Sequence, residues 1–250
     1  MKSSSTHIIG RQPVLEALRA GNQLERIFLQ KNSSGEIIDE IRLLAQKLQI
    51  PINSVPVEKL NYLTRSNHQG VIGINSIIQY LELQDVIDHT LSIAQVPLFV
   101  MLDGITDVRN IGAIARTALC CGAQALIIPD KGIGAFNEEA LKSSAGALQK
   151  IMVSRVPSLL KAIDTLHLNG ISVCTAEMKS TNRVFDLNFS LPTCIVMGSE
   201  DKGVLPYISK AADLKFTIPM AGHFDSFNVG VAAGIILFEA SKQRMLKAQL

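Results

Sequence analysis

Apolar positions along this chain follow two rhythms, a helical one and a strand-like one, and the two alternate. In "HIIGRQPVLEALRAGNQLERIFLQKN", Leu15, Ala17 and Leu18 mark a helix that Gly21 and Asn22 end, and "RIFLQ" follows as a short strand. "SSGEIIDEIRLLAQKLQI" is a second helix, with Ile37, Ile41, Leu44 and Leu48 at helical spacing and Ser33 or Ser34 as its cap. "PINSV" predicts a strand, "VEKLNYL" a short helix and "QGVIGINSI" a closing strand. Residues 1–78 thus form a small α/β unit, within the size that folds alone. Residues 79–95, "QYLELQDVIDHTLSIAQ", read as a linking helix.

A second alternation fills 96–250. "PLFVML", "ALIIP", "IMVSRV", "ISVCTA", "TCIVMG" and "LKFTIP" are strands. Between and after them, "RNIGAIARTALCCG", "NEEALKSSAGAL", "SLLKAIDTLHLNG" and the run from Val229 are helices. Strands that are apolar throughout and alternate with helices predict an α/β fold with a mainly parallel sheet covered on both faces. In such sheets ligands bind outside the carboxyl ends of the strands. The residues there are Asp103, Gly104, Arg109 and Asn110; then Glu177; then "GSEDKG" at 198–203; then Met220, Gly222, Ser226 and Asn228. Arg109, Gly112, Ala113 and Arg116 share one helix face, which reads as a shallow positive groove suited to phosphate. Ser226 and Asn228 head the last apolar helix, one hydrogen-bonding side chain more than a cap requires.

Composition narrows the chemistry. No G-x-G-x-x-G follows a strand and no G-x-x-x-x-G-K-[ST] occurs, so the common dinucleotide and P-loop readings lose support, and "GIG" at 132–134 reads as a turn. The five histidines are scattered without ligand spacing, and no metal is expected. A net charge of +2 and a pI near 8.3 exclude a non-specific nucleic-acid coat, so any polyanion must meet a local basic patch. Residues 1–80 hold nine Lys/Arg against six Asp/Glu, slightly the more basic part. Cys120, Cys121, Cys174 and Cys194 lie in apolar runs without C-x-x-C spacing and read as buried free thiols in a reducing compartment. "MKSSSTHIIG" has no apolar signal core and no run is long enough to span a membrane, so a soluble cytoplasmic protein is expected.

Three stretches, in order and each past a strand, resemble the SPOUT methyltransferases of the SpoU/TrmH type. D-x6-N-x-G-x3-R-x-A appears as Asp103, Asn110, Gly112, Arg116 and Ala118. G-x-E-x-x-G appears as Gly198, Glu200 and Gly203, and the third motif as "IPMAGHFDSFNVGVAA". The first 78 residues are similar to the L30e-like RNA substrate-binding domain fused to such enzymes, through "IIGRQPVLEAL" and "HQGVIG". The resemblance implies a deep trefoil knot in the C-terminal domain and a homodimer whose active site draws on both subunits. It implies S-adenosylmethionine as methyl donor and the ribose 2′-hydroxyl of a guanosine in 23S rRNA as acceptor. Carried over by residue, Asn110, Arg116, Glu200, Ser226 and Asn228 are the catalytic set. Met197, Gly198, Gly203, Ile218, Pro219, Met220 and Phe227 are the cofactor set. Phe227 and Gly230 depart from the Leu and Ser that many relatives carry. A transfer-RNA 2′-O-methyltransferase is the alternative within the class, disfavoured by the N-terminal domain. A catalytically silent RNA-binding or ribosome-assembly factor is the alternative outside it, disfavoured by the intact catalytic set.

Overall fold

Gly10, with φ at +103°, turns the chain between an edge strand that the periodicity did not signal and the first helix. The computed structural model describes residues 7–222 and 226–248, so the leading "MKSSST" and the "HFD" of the third motif lie outside the described residues. The chain divides into two units, Met1–Gln79 and Tyr80–Leu250.

The described part of the first unit contains β1 (His7–Ile9), α1 (Arg11–Arg19), β2 (Leu24–Gln30), α2 (Glu36–Lys47), β3 (Ile52–Val55), α3 (Val57–Leu63) and β4 (Val71–Asn75). Its sheet runs β1-β4-β2-β3; β4 is antiparallel to both neighbours and β2 is parallel to β3. Val14, Leu15 and Leu18 of α1 and Ile38, Ile41 and Ala45 of α2 pack on Leu24, Ile27, Leu29 and Val71 of the strands. Neither serine caps α2. Gly35 occupies the N-cap at φ +115°, and Ser33 offers its carbonyl to Arg42 Nη2 at 3.1 Å.

The second unit contains β5 (Tyr80–Leu81), α4 (Leu83–Ser92), β6 (Leu98–Asp103), α5 (Val108–Cys120), β7 (Ala125–Pro129), α6 (Glu138–Ser143) and β8 (Met152–Val156). It continues with α7 (Leu159–Leu168), β9 (Ser172–Ala176), β10 (Thr193–Gly198), α8 (Pro206–Ala211), β11 (Leu214–Phe216) and α9 (Val229–Lys247). The sheet order is β11-β9-β10-β6-β7-β8-β5, and every pairing in it is parallel, as the apolar strand runs predict. One face is closed by α4, α7 and α8, whose Leu83, Val86, Ile87, Ile163, Leu166 and Ile208 share a core with Phe99, Met101, Ile127 and Val196. On the other face α5 packs with α6 and α9.

The expected linker over 79–95 is, from Tyr80 on, part of this unit. Tyr80–Leu81 adds an edge strand beside β8, and α4 buries Leu83, Val86 and Ile87 in the core. Each buried aliphatic side chain is worth about 1.5–3 kcal/mol, too much to leave in solvent. The helix expected over "NEEALKSSAGAL" stops at Ser143, because Ala145 and Gly146 take left-handed backbone angles before a short 3-10 turn. "LKFTIP" is strand only to Phe216; Thr217–Met220 leave the sheet and approach the site described below. All four cysteines are free, but only Cys174 and Cys194 are buried. Burial pushes the Cys174 thiol up to about 12 and the Cys194 thiol higher still. Cys120 is exposed and Cys121 half-exposed, at the carboxyl end of α5. Among the described residues no helix is long and apolar enough to cross a membrane.

Candidate active site

The chain leaves β10 through a turn that only glycine permits. A Cβ on Gly198 would stand 2.1 Å from Gly203 C and 2.2 Å from Val204 N. With no side chain there, the chain doubles back on itself: Ser199 N–H donates to Gly203 O at 3.2 Å and Gly203 N–H returns to Ser199 O at 2.8 Å. Gly203 has φ of +66°, a left-handed angle that glycine adopts without strain. Downstream, Leu205 N–H donates to Asp103 Oδ2 at 2.7 Å, which ties the turn to the end of β6. Asp103 is buried, and burial raises its pKa while that hydrogen bond opposes the rise.

The turn projects Glu200 toward the heads of two helices. Glu200 Oε1 accepts from Asn110 Nδ2 at 3.1 Å, from Val229 N–H at 3.3 Å and from Asn228 Nδ2. Asn228 Nδ2 also donates to Asn110 Oδ1 at 3.2 Å. The other end of the same amide is the cap of α9, with Oδ1 accepting from Gly230 N–H at 3.0 Å and Val231 N–H at 3.3 Å. One asparagine therefore caps the helix and ties it to Glu200 and Asn110. Position 230 adjoins this cluster: a Cβ there would lie 3.2 Å from Asn228 Oδ1 and 3.4 Å from Ala113 Cβ. A serine at 230 would crowd the amides, and Gly230 leaves them room.

Beside the cluster lies a cavity of about 410 Å³ at the carboxyl ends of β9 and β10. Its lining includes Met197, Gly198, Gly203, Ile218, Met220 and Phe227 from the expected cofactor set, and Glu200 and Ser226 from the expected catalytic set. Pro219 is exposed and does not line it. Glu177, Met178 and Lys179, just past β9, complete that side. Strand-end reasoning had located Glu177 without assigning it work, and nothing in the spacing had pointed to the Asp103–Leu205 tie.

Arg116 and the proposed groove behave differently. Gly112 is no groove floor: it faces α6, where a Cβ would come within 1.9 Å of Ser143 Oγ and 2.8 Å of Ala140 O. The glycine is there to let two helices touch. Arg109 folds back onto Asp107, 3.0 Å away, and this guanidinium holds the Asp107 carboxyl below the usual carboxylate range. Asp107 also caps α5, accepting from Arg109 N–H at 2.8 Å. Arg116 is exposed, and its guanidinium has no hydrogen-bond partner among the described residues. The structure brings Asn110, Glu200 and Asn228 together and leaves Arg116 outside their hydrogen-bond network.

Comparison with known proteins identifies the family. Residues 97–238 match the SpoU rRNA methylase family, and residues 7–81 match the RNA 2′-O ribose methyltransferase substrate-binding family. A Staphylococcus epidermidis protein, provisionally named a TrmH family tRNA/rRNA methyltransferase, is 32% identical over 95% of each chain. Bacillus subtilis YacO, provisionally named likewise, is 30% identical over 98% of each. Among solved structures, the SpoU methyltransferase AviRb from Streptomyces viridochromogenes, in complex with AdoMet, superposes with a TM-score of 0.62. It is 24% identical, over 96% of this chain and 90% of that one, a likeness of fold.

Proposed function

This chain belongs to the SpoU rRNA methylase family of RNA methyltransferases, and on that premise we propose that it moves the methyl group of S-adenosylmethionine onto the ribose 2′-hydroxyl of a guanosine in 23S rRNA, in the cytoplasm. The observation that carries the reading is the Asn110–Glu200–Asn228 network at the rim of a cavity built by the Gly198–Gly203 turn. The choice of guanosine and of 23S rRNA rests on the kind of N-terminal unit joined to the catalytic one.

The cavity fits the cofactor. Its volume is within the roughly 300–1,000 Å³ of small-molecule sites. Met197, Ile218 and Met220 supply apolar walls for a purine, and Gly198 and Phe227 also line the cavity. Bound there, S-adenosylmethionine supplies an electrophilic methyl group on a positively charged sulfur. The chain's own task is to hold a weak oxygen nucleophile in line with that group, a contribution of up to about 7–11 kcal/mol in well-oriented cases. Glu200 fixes Asn110 and Asn228, and Ser226 lines the cavity beside them. As the ribose oxygen attacks, its proton must leave. An arginine keeps its own proton at neutral pH. Arg116 therefore orients a phosphate with its planar fork and stabilises the oxyanion as it develops, and solvent takes the proton.

Arg116 would act on the site of a second copy. Its lack of a partner within the described chain supports this, as does an apolar row on α9. Val231, Phe238 and Met245 recur every seven residues along it and are 52%, 66% and 63% exposed. Such a row on a helix already packed on its opposite side favours burial against another subunit.

The test is methyl transfer to total RNA from cells lacking the gene, followed by mapping of the modified ribose. A mark on a 23S guanosine supports the reading; a mark on transfer RNA alone refutes the assigned substrate. Calorimetry with S-adenosylmethionine separates enzyme from silent RNA-binding factor, since absent binding favours the latter. Arg116→Lys keeps the charge but loses the fork, and near-normal turnover in that variant would remove the role given to arginine.

A further inference from the structure

The cavity wall holds a carboxylate that the reading above leaves unused. Glu177 stands just past β9 and is half-buried, with its backbone N–H donating to Phe216 O at 2.8 Å. Its Oε1 accepts two hydroxyls, Thr175 Oγ1 at 2.9 Å and Ser209 Oγ at 2.6 Å. Lys215 Nζ donates to Ser209 Oγ at 2.8 Å, so the serine hydroxyl is turned to give its proton to Glu177. Two donors occupy Oε1. Oε2 has no hydrogen-bond partner among the described residues, yet the residue lines the cavity. An ionised carboxylate only accepts, and a half-buried one calls for further donors. The support behind it is costly to build around a residue with nothing to hold: three side chains from three elements converge on one orientation.

We propose that Glu177 is a cofactor-binding residue, its free Oε2 accepting hydrogen bonds from the ribose hydroxyls of S-adenosylmethionine. The inference rests on the cofactor reading above. Position selects the ribose. Met178, Ile218 and Met220 wall the cavity around Glu177 and suit a purine face. Glu200, which marks the reacting end, rises from β10 and is tied to Asn110 of α5, on the β6 side of the sheet. Glu177 rises from β9, on the opposite side of β10. The group that follows the base and carries paired hydroxyl donors is the ribose.

Calorimetry on the full chain tests this without turnover, using S-adenosylhomocysteine, its 2′,3′-dideoxy analogue and 5′-methylthioadenosine, which lacks the amino-acid tail. Glu177→Gln is expected to weaken S-adenosylhomocysteine and 5′-methylthioadenosine alike, by about tenfold or more, the scale of a hydrogen bond to a charged group. The dideoxy analogue should bind the parent protein weakly and lose little more in the variant, since the same contact is already gone. Ser209→Ala, which leaves Glu177 in place but loosens it, should give a smaller loss in the same direction, with an unchanged unfolding midpoint. Unaltered binding by Glu177→Gln overturns the proposal. So does a loss confined to S-adenosylhomocysteine, which would place the carboxylate against the amino-acid tail. Should Glu177→Gln fail to fold, equal affinity of the parent protein for the 2′,3′-dideoxy analogue and S-adenosylhomocysteine overturns it. If the parent protein binds none of the three, the cofactor reading itself falls.

Discussion

A single methyl group added at position 198 tests whether the turn after β10 builds the site. In Gly198→Ala the new Cβ would lie 2.1, 2.2 and 2.4 Å from Gly203 C, Val204 N and Gly203 O. All three are backbone atoms, so no rotamer change relieves the clash, and the turn must open. Forcing a methyl group into a packed position costs about 1–3 kcal/mol. Losing the paired Ser199–Gly203 hydrogen bonds adds about 0.5–1.5 kcal/mol each. The expected destabilisation is roughly 2–6 kcal/mol, and Glu200, which rides on the turn, should leave Asn110 and Asn228. Gly203→Ala is the control. Nothing lies within 4 Å of a Cβ there, so only the left-handed φ of +66° is penalised, by about 1–2 kcal/mol. Urea unfolding followed by circular dichroism gives both values, with an unchanged slope confirming that stability is what moved. Calorimetry with S-adenosylhomocysteine reads the cavity. A Gly198→Ala protein as stable as Gly203→Ala, and binding like the parent, would refute the steric argument.

Other perturbations separate roles that share one residue. Asn228→Asp keeps the cap of α9 but sets a second carboxylate against Glu200, so methyl transfer should collapse while stability stays within about 1 kcal/mol of the parent; Asn228→Ala should lose both activity and the cap, about 1 kcal/mol by unfolding. Asp103 bears on pH. Its folded pKa is raised above 3.8 by burial, so its contribution to stability is complete below 3.8 and is lost as pH rises through the raised value. The melting-temperature advantage of the parent over Asp103→Asn should therefore shrink between about pH 3 and pH 7, and a growing advantage would contradict the burial argument. On the proposed pairing through α9, Phe238→Glu should yield monomers by sedimentation and abolish turnover; a variant that sediments like the parent and stays active would refute that pairing.

Much of this architecture was legible along the chain because periodicity reports burial. The strand runs of β6, β7 and β10 are apolar at almost every position, which only a sheet covered on both faces requires. The same logic located Glu177, Gly198–Gly203 and Asn228 at strand ends. What it misjudged were features set by partners distant in sequence. Local spacing reads Gly112 as part of a shallow groove, whereas Ser143 on α6 makes it a helix contact. Residues 80–92 look like a detached acidic helix until β8 accepts Tyr80–Leu81 as an edge. The cap of α2 went to Gly35 and not to a serine, a choice made by backbone conformation.

By itself the sequence determined most of the strands and helices, that the second unit is a parallel α/β sheet, and which polar residues stand at strand ends. These follow from near-neighbour sterics and from the cost of leaving apolar side chains in water. Only the tertiary structure decided that β10 lies between β6 and β9, with β11 outside β9. That order brings Glu200 to Asn110, 90 residues away, and to Asn228, 28 residues away. It also sets Glu177 on the far side of β10 from them. No local pattern encodes those pairings, because hydrogen-bonding side chains at loop positions are equally content in water until the fold removes it.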